Sequence, residues 1–167
     1  MAINIFLDTN IIDRILRIDE EIPSNRTYEE DRKFLRKVLD ICASNEETKL
    51  YVNPSVKMEI EKTEDKQKKK ELLKLFEKYE FLPFNLTIFP FVFPATFISK
   101  EEVKKLEDLC NKLPGLKKDM KIIADAGFCK TIDVLLTTDR KHLANKGIQI
   151  KHLKIFTPKK LFEYLRM

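Results

Sequence analysis

The sequence predicts an α/β fold, a three-layer α/β/α sandwich around a central, mainly parallel sheet. Short apolar runs of strand length alternate with longer stretches whose apolar residues recur at helical spacing, the pattern of successive βαβ units. Two of those runs, near residues 3–7 and 134–136, are each followed by an aspartate with a threonine next to it, just before a helix. With 167 residues, 43% apolar and 35% charged, the chain suits one domain spanning 1–167, and no internal repeat divides it.

The first element is a strand built on Ile3, Ile5, Phe6 and Leu7, stopped by Asp8. Ile11, Ile12, Ile15, Leu16 and Ile18 then give a helix, which breaks at Pro23-Ser24-Asn25. A second helix is expected near Thr27, because Thr27 and Glu30 have capping-box spacing. Its stripe is Phe34, Leu35, Val38, Leu39 and Cys42. Leu50–Val52 is the next strand, and Asn53-Pro54-Ser55 starts a helix carrying Val56 and Ile60 inward with Glu59 beside them. Residues 64–79 read as a helix with one solvated, lysine-rich face and Leu72, Leu73, Phe76 and Tyr79 on the other.

Phe81 to Ile98 has no charged residue, yet Pro83, Pro90 and Pro94 rule out a spanning helix, in which every backbone group must be satisfied. A buried connection around a short strand fits better, and its phenylalanines, such as Phe91, are a candidate homodimer interface. Ser99 and Glu102 mark a further helix, stopped at Pro114-Gly115, and another is expected over Lys117–Lys130. A strand at Asp133–Thr137, a short helix after Asp139, a strand at Ile150–Phe156 and a helix over Lys159–Arg166 with Pro158 in its first turn complete the order.

Several functions are poorly supported by composition. Cys42, Cys110 and Cys129 have neither metal-knuckle nor redox spacing, and His142 and His152 are too few for a zinc site or a Ser-His-Asp triad. The cysteines read as core residues and the histidines as surface ones. Without a cleavable signal pattern the expected location is the cytoplasm. The net charge of +5 suits a polyanionic partner without requiring one.

The chemistry lies in the acids. Ligands of open α/β sheets gather at the carboxyl ends of parallel strands. Asp8 sits at such an end, and Thr137-Thr138-Asp139 repeats the arrangement after Val134-Leu135-Leu136. Either aspartate alone is an ordinary helix cap; packing seldom requires the pattern twice. Glu59, one turn into the helix after the second strand, projects toward the same edge, and Asp119 begins a helix whose dipole favours a negative group. Four converging carboxylates repel unless cations neutralise them, and such oxygen sets suit Mg²⁺ or Mn²⁺. Those metals activate water and hold phosphodiesters.

These residues resemble the PIN domain family, many of whose members are ribonuclease toxins of toxin–antitoxin pairs. The match consists of Leu7-Asp8-Thr9-Asn10, Ser55 through Glu59, Asp119 with Ile122-Ile123-Ala124 and Ala126, Leu135-Leu136-Thr137 with Asp139, and Phe156-Thr157-Pro158, in family order across almost the whole chain. The resemblance implies an Mg²⁺- or Mn²⁺-dependent endoribonuclease, with Asp8, Glu59, Asp119 and Asp139 as catalytic and metal-binding residues. It also implies an RNA substrate, cleavage to a 5′-phosphate and a 3′-hydroxyl, and an antitoxin protein as partner if the chain is a toxin. The chain is longer than the usual small toxin, with extra residues at Asp19–Tyr28 and in the phenylalanine-rich segment.

Thr137 and Asn10 are secondary candidates that orient a carboxylate, with capping as their alternative role. Asp125 lies about 240° round its helix from Asp119 at 100° per residue, an outer position; Asp13 is a further nearby acid. Lys57, Lys118 and Arg140, together with Lys117, Lys121 and Lys141, flank the acids and are candidates to grip phosphates. The competing expectations are a non-catalytic PIN-like module that binds RNA or protein, and a phosphoacceptor domain with Asp8 as nucleophile. The latter usually wants a second aspartate where Asn10 stands.

Overall fold

The computed structural model describes residues 2–17, 25–52, 54–78, 80–81, 131–148 and 152–167, with helical positions 101, 104, 108, 111, 123, 126 and 127. Strand β1 (Ile3–Leu7) leads into α1 (Thr9–Leu16), and α2 (Arg26–Ser44) precedes β2 (Thr48–Val52). Then follow α3 (Pro54–Glu61), α4 (Lys66–Phe76) and β3 (Glu80–Phe81). The chain ends with β4 (Val134–Leu136), one wide helical turn (Arg140–Ala144), β5 (Lys154–Phe156) and α5 (Pro158–Leu165).

The five strands form one sheet in the order β3-β2-β1-β4-β5, and every pairing is parallel. The fold is therefore α/β with a parallel sheet, as the alternation of periods predicts. Because β1 is central, the chain winds outward from it first to β2 and β3 and later to β4 and β5. The carboxyl ends of β1 and β4 meet at the point where the strand order reverses, the place where ligands bind in open parallel sheets.

Both faces of the central strands are buried. Ile5 and Leu7 of β1, with Val134 and Leu136 of β4, belong to a core shared with Ile11 and Ile12 of α1, Leu35 and Val38 of α2, and Leu161 of α5. Phe6 and Leu135 occupy the alternate positions and point to the other face, yet both are fully buried. Ile123 and Ala126, helical and completely buried, lie outside the first core. On the first face α2 packs along α5, where the Phe34 and Phe162 rings tilt together at 5.4 Å.

Local chemistry explains the element ends. Asn25, not Thr27, caps α2: its side chain accepts from the N–H groups of Thr27 and Tyr28 at 3.1 and 3.3 Å. Thr27 thus lies inside the first turn, and the capping-box expectation is corrected; Glu30 instead pairs with Lys159 of α5 at 3.0 Å. Asp65 caps α4 and Thr157 caps α5. Gly147, at φ 61°, takes the left-handed conformation that glycine adopts without steric cost.

Cys42 is buried in the core as expected, and burial pushes its thiol up to about 11. No helix among the described residues is long and apolar enough to cross a membrane. The phenylalanine-rich segment beyond Phe81, including the candidate dimer interface at Phe91, lies outside the described residues, as do Cys110 and Cys129.

Candidate functional site

The parallel register of β1 and β4 pairs Ile5 with Val134, Phe6 with Leu135 and Leu7 with Leu136. One step further places Asp8 against Thr137, on the sheet face of Phe6 and Leu135. The ladder indeed continues past the strand ends: the Asp8 N–H donates to the Leu136 carbonyl at 3.1 Å, and the Thr137 N–H to that of Phe156 at 3.0 Å.

Asp8 is 3% exposed and Thr137 completely buried. The Thr137 hydroxyl donates to Asp8 Oδ2 at 2.6 Å, a charge-assisted bond in a dry setting. Asn10 Nδ2 lies 3.5 Å from the same oxygen, the long limit of a hydrogen bond. The Asp8 side chain does not cap α1, although it occupies the capping position. Its carboxylate is turned to the sheet edge, and Thr137 holds it there.

Replacing Thr137 by valine keeps the shape and removes that donor together with the acceptor of the Asp139 N–H. A hydrogen bond to a charged group contributes roughly 1.5–3 kcal/mol. Urea denaturation at pH 7 is expected to show a loss of this size; a loss below about 0.5 kcal/mol would mean that the bond contributes little to stability.

Asp139 is placed differently. Its backbone N–H donates to Thr137 Oγ1 at 3.0 Å, so Thr137 bridges the two acids of the edge. Its side chain caps the wide turn: Oδ1 accepts from the His142 N–H at 2.8 Å, and Oδ2 lies 3.0 Å from His142 Nδ1. The Lys141 backbone adds a further hydrogen bond to the same carboxylate. His142 was expected only at the surface; its partnership with Asp139 follows from the three-residue spacing of a cap.

Burial pushes the Asp139 carboxyl up, but the hydrogen bonds from the His142 backbone and ring outweigh it and hold the group below its ordinary 3.8. A depressed carboxylate stabilises the fold above its unfolded value, and that contribution is lost as pH falls through the folded one. Asp139→Ala is therefore expected to cost about 1 kcal/mol at pH 7, a typical cap. The difference from wild type should shrink steadily below about pH 4; an unchanged difference at pH 2.5 would contradict the linkage.

Among the phosphate-gripping candidates, Arg140 has a protein partner of its own. Its guanidinium makes a two-pronged ion pair with Asp31 of α2, at 2.8 Å from Nη1 to Oδ2 and 2.6 Å from Nη2 to Oδ1. Asp31 is 1% exposed. A planar fork matched to a buried carboxylate is a committed group rather than a free one. Lys57 and Lys141 are exposed, whereas Lys117, Lys118 and Lys121 lie outside the described residues.

Asp31 escaped the sequence reading, though the signal was present. Counting back four from Leu35 along the stripe Leu35, Val38 and Cys42 puts it in core phase, where a carboxylate requires a cation. Asp13 is likewise engaged, by Lys68 at 2.8 Å and Arg17 at 3.5 Å. Glu59 lies on α3, following the carboxyl end of β2, with its side chain outside the described residues; Asp119 and Asp125 are outside them entirely. Among the described residues, no three His, Cys, Asp or Glu side chains form a metal-holding group.

Fold and edge together define a parallel α/β protein with acids at its topological switch point. No protein-family model matches the chain, and no curated protein matches it.

Proposed function

We propose that the chain is a metal-dependent endoribonuclease of the PIN type, with the three-layer architecture of that family. The supporting observation is Asp8: a buried carboxylate at the switch point, withheld from capping and aimed by Thr137. The donor set proposed here, Asp8 and Asp139 with Glu59 and Asp119, consists of oxygen only, which suits Mg²⁺ or Mn²⁺. Asp8 and Asp119 would hold the ion, with Asp139 and Glu59 completing the site directly or through water.

Bound there, such an ion would supply water activation and a grip on the phosphodiester. The chain contributes the orientation. Thr137 fixes the Asp8 oxygen, and the cap geometry fixes the Asp139 carboxylate at the start of its turn. Exposed Lys57 and Lys141 flank the acids in sequence and would meet phosphate, with RNA as the substrate class.

A non-catalytic module is the second reading, favoured by one feature: both Asp139 oxygens already accept from His142 or face its ring. Incubation of the purified chain with unstructured and structured RNAs separates the two. Cleavage in Mn²⁺ or Mg²⁺ that stops with chelator and leaves 5′-phosphate ends is expected. RNA that stays intact at saturating Mn²⁺ would establish the binding module instead. The toxin role extends the same reading and predicts a small antitoxin protein that suppresses cleavage when mixed in equal amounts.

A further inference from the structure

Among the described residues two carboxylates are buried, Asp8 and Asp31, and the second has no place in the site as drawn so far. We propose that Asp31 is a positioning residue for that site, acting through Arg140 on Asp139. This inference rests on the reading of Asp139 as part of the metal centre.

The segment 137–140 is strung between the two buried acids. At one end the Thr137 hydroxyl donates to Asp8 at 2.6 Å. At the other, Arg140 closes its fork on Asp31 at 2.6 and 2.8 Å. Asp139 lies between them, with its N–H on Thr137 Oγ1 at 3.0 Å. Both anchors are far away in sequence, 129 and 109 residues respectively, and they come from different elements, the end of β1 and the second turn of α2. The residue presenting the carboxylate is therefore fixed from both sides by groups that do not move with the turn itself.

Stability alone is a weak reason for such a pair. A buried ion pair is commonly no better than well-packed apolar side chains of the same volume, because desolvation offsets the attraction. Geometry is a better reason, since the guanidinium fork accepts a carboxylate in one plane and one direction. Groups that orient metal-binding residues typically change metal affinity 10–100-fold when removed.

The test compares wild type, Asp8→Asn, Asp31→Asn, Arg140→Lys and the double variant Asp31→Asn/Arg140→Gln. Mn²⁺ affinity is measured by titration calorimetry and Tm by circular dichroism. Wild type is expected to bind Mn²⁺ and Asp8→Asn to lose it. Asp31→Asn should lower Tm and weaken Mn²⁺ roughly 10–100-fold. In the double variant no charge is left without its partner, so Tm should recover while Mn²⁺ stays equally weak. Arg140→Lys, which keeps the charge but not the fork, should weaken Mn²⁺ by about tenfold at nearly wild-type Tm.

A merely structural pair would restore Mn²⁺ affinity together with Tm. Recovery in the double variant, or wild-type affinity in Arg140→Lys, overturns the positioning role and leaves the metal centre standing. Failure of wild type itself to bind Mn²⁺ overturns the metal centre, and this inference with it.

Discussion

Asp8→Asn is expected to reduce RNA cleavage in Mn²⁺ by about a thousandfold or more while the protein remains folded. Metal stabilisation of a phosphodiester transition state is worth several kcal/mol, and each 1.36 kcal/mol is tenfold in rate. The fold should survive for a local reason: the Asp8 side chain does not cap α1, so the helix loses no donor's partner. The amide oxygen of asparagine can still accept from Thr137. Far-ultraviolet circular dichroism should therefore match wild type within error, while cleavage rates on a labelled RNA collapse. Cleavage persisting in this variant would place the chemistry elsewhere or in a contaminant.

Phe6→Ala should give the largest loss of stability, about 3–5 kcal/mol. Phe6 is fully buried at the middle of the central strand, on the face away from Ile5 and Leu7. Its strand neighbours in register are Tyr51 and Leu135. The truncation removes a ring from a layer that cannot collapse to fill the space, because the sheet itself is its floor. For a chain of this size the expected fall in Tm is about 6–20 °C. Urea denaturation reads the same quantity, and a cost under 1 kcal/mol would show that this face is only loosely covered.

The strands and the parallel order were legible because they depend on short-range patterns. Ile3–Leu7 and Val134–Leu136 are apolar runs too short for helices, and each is followed by a helix start. The last strand is Lys154–Phe156, with His152 in a turn, and Ile150 and Lys151 of the expected span lie outside the described residues. Asp8 and Asp139 were legible as a pair because the same motif occurs twice. Their division of labour was not: capping falls to Asp139, while Asp8 in the equivalent place does not cap. Nothing within a few residues distinguishes the two; what decides is the register between strands 129 residues apart.

Arg140 shows the same limit from the other side. Its neighbours in sequence are acids and bases of a candidate phosphate site, and that local reading does not reveal the ion pair. The partner that claims it stands 109 residues earlier, on a helix stripe otherwise apolar. Long-range electrostatic pairing leaves only a faint mark in a single sequence, here a carboxylate in core phase.

The bond between Asp8 and Thr137 also sets a schedule. During synthesis at roughly 5–20 residues per second, Asp8 is made about 6–26 s before the threonine that aims it. Until then β1 has only β2 to pair with, and the edge that gathers the acids does not exist. A growing chain thus cannot close this bond until β4 has been made and has paired with β1.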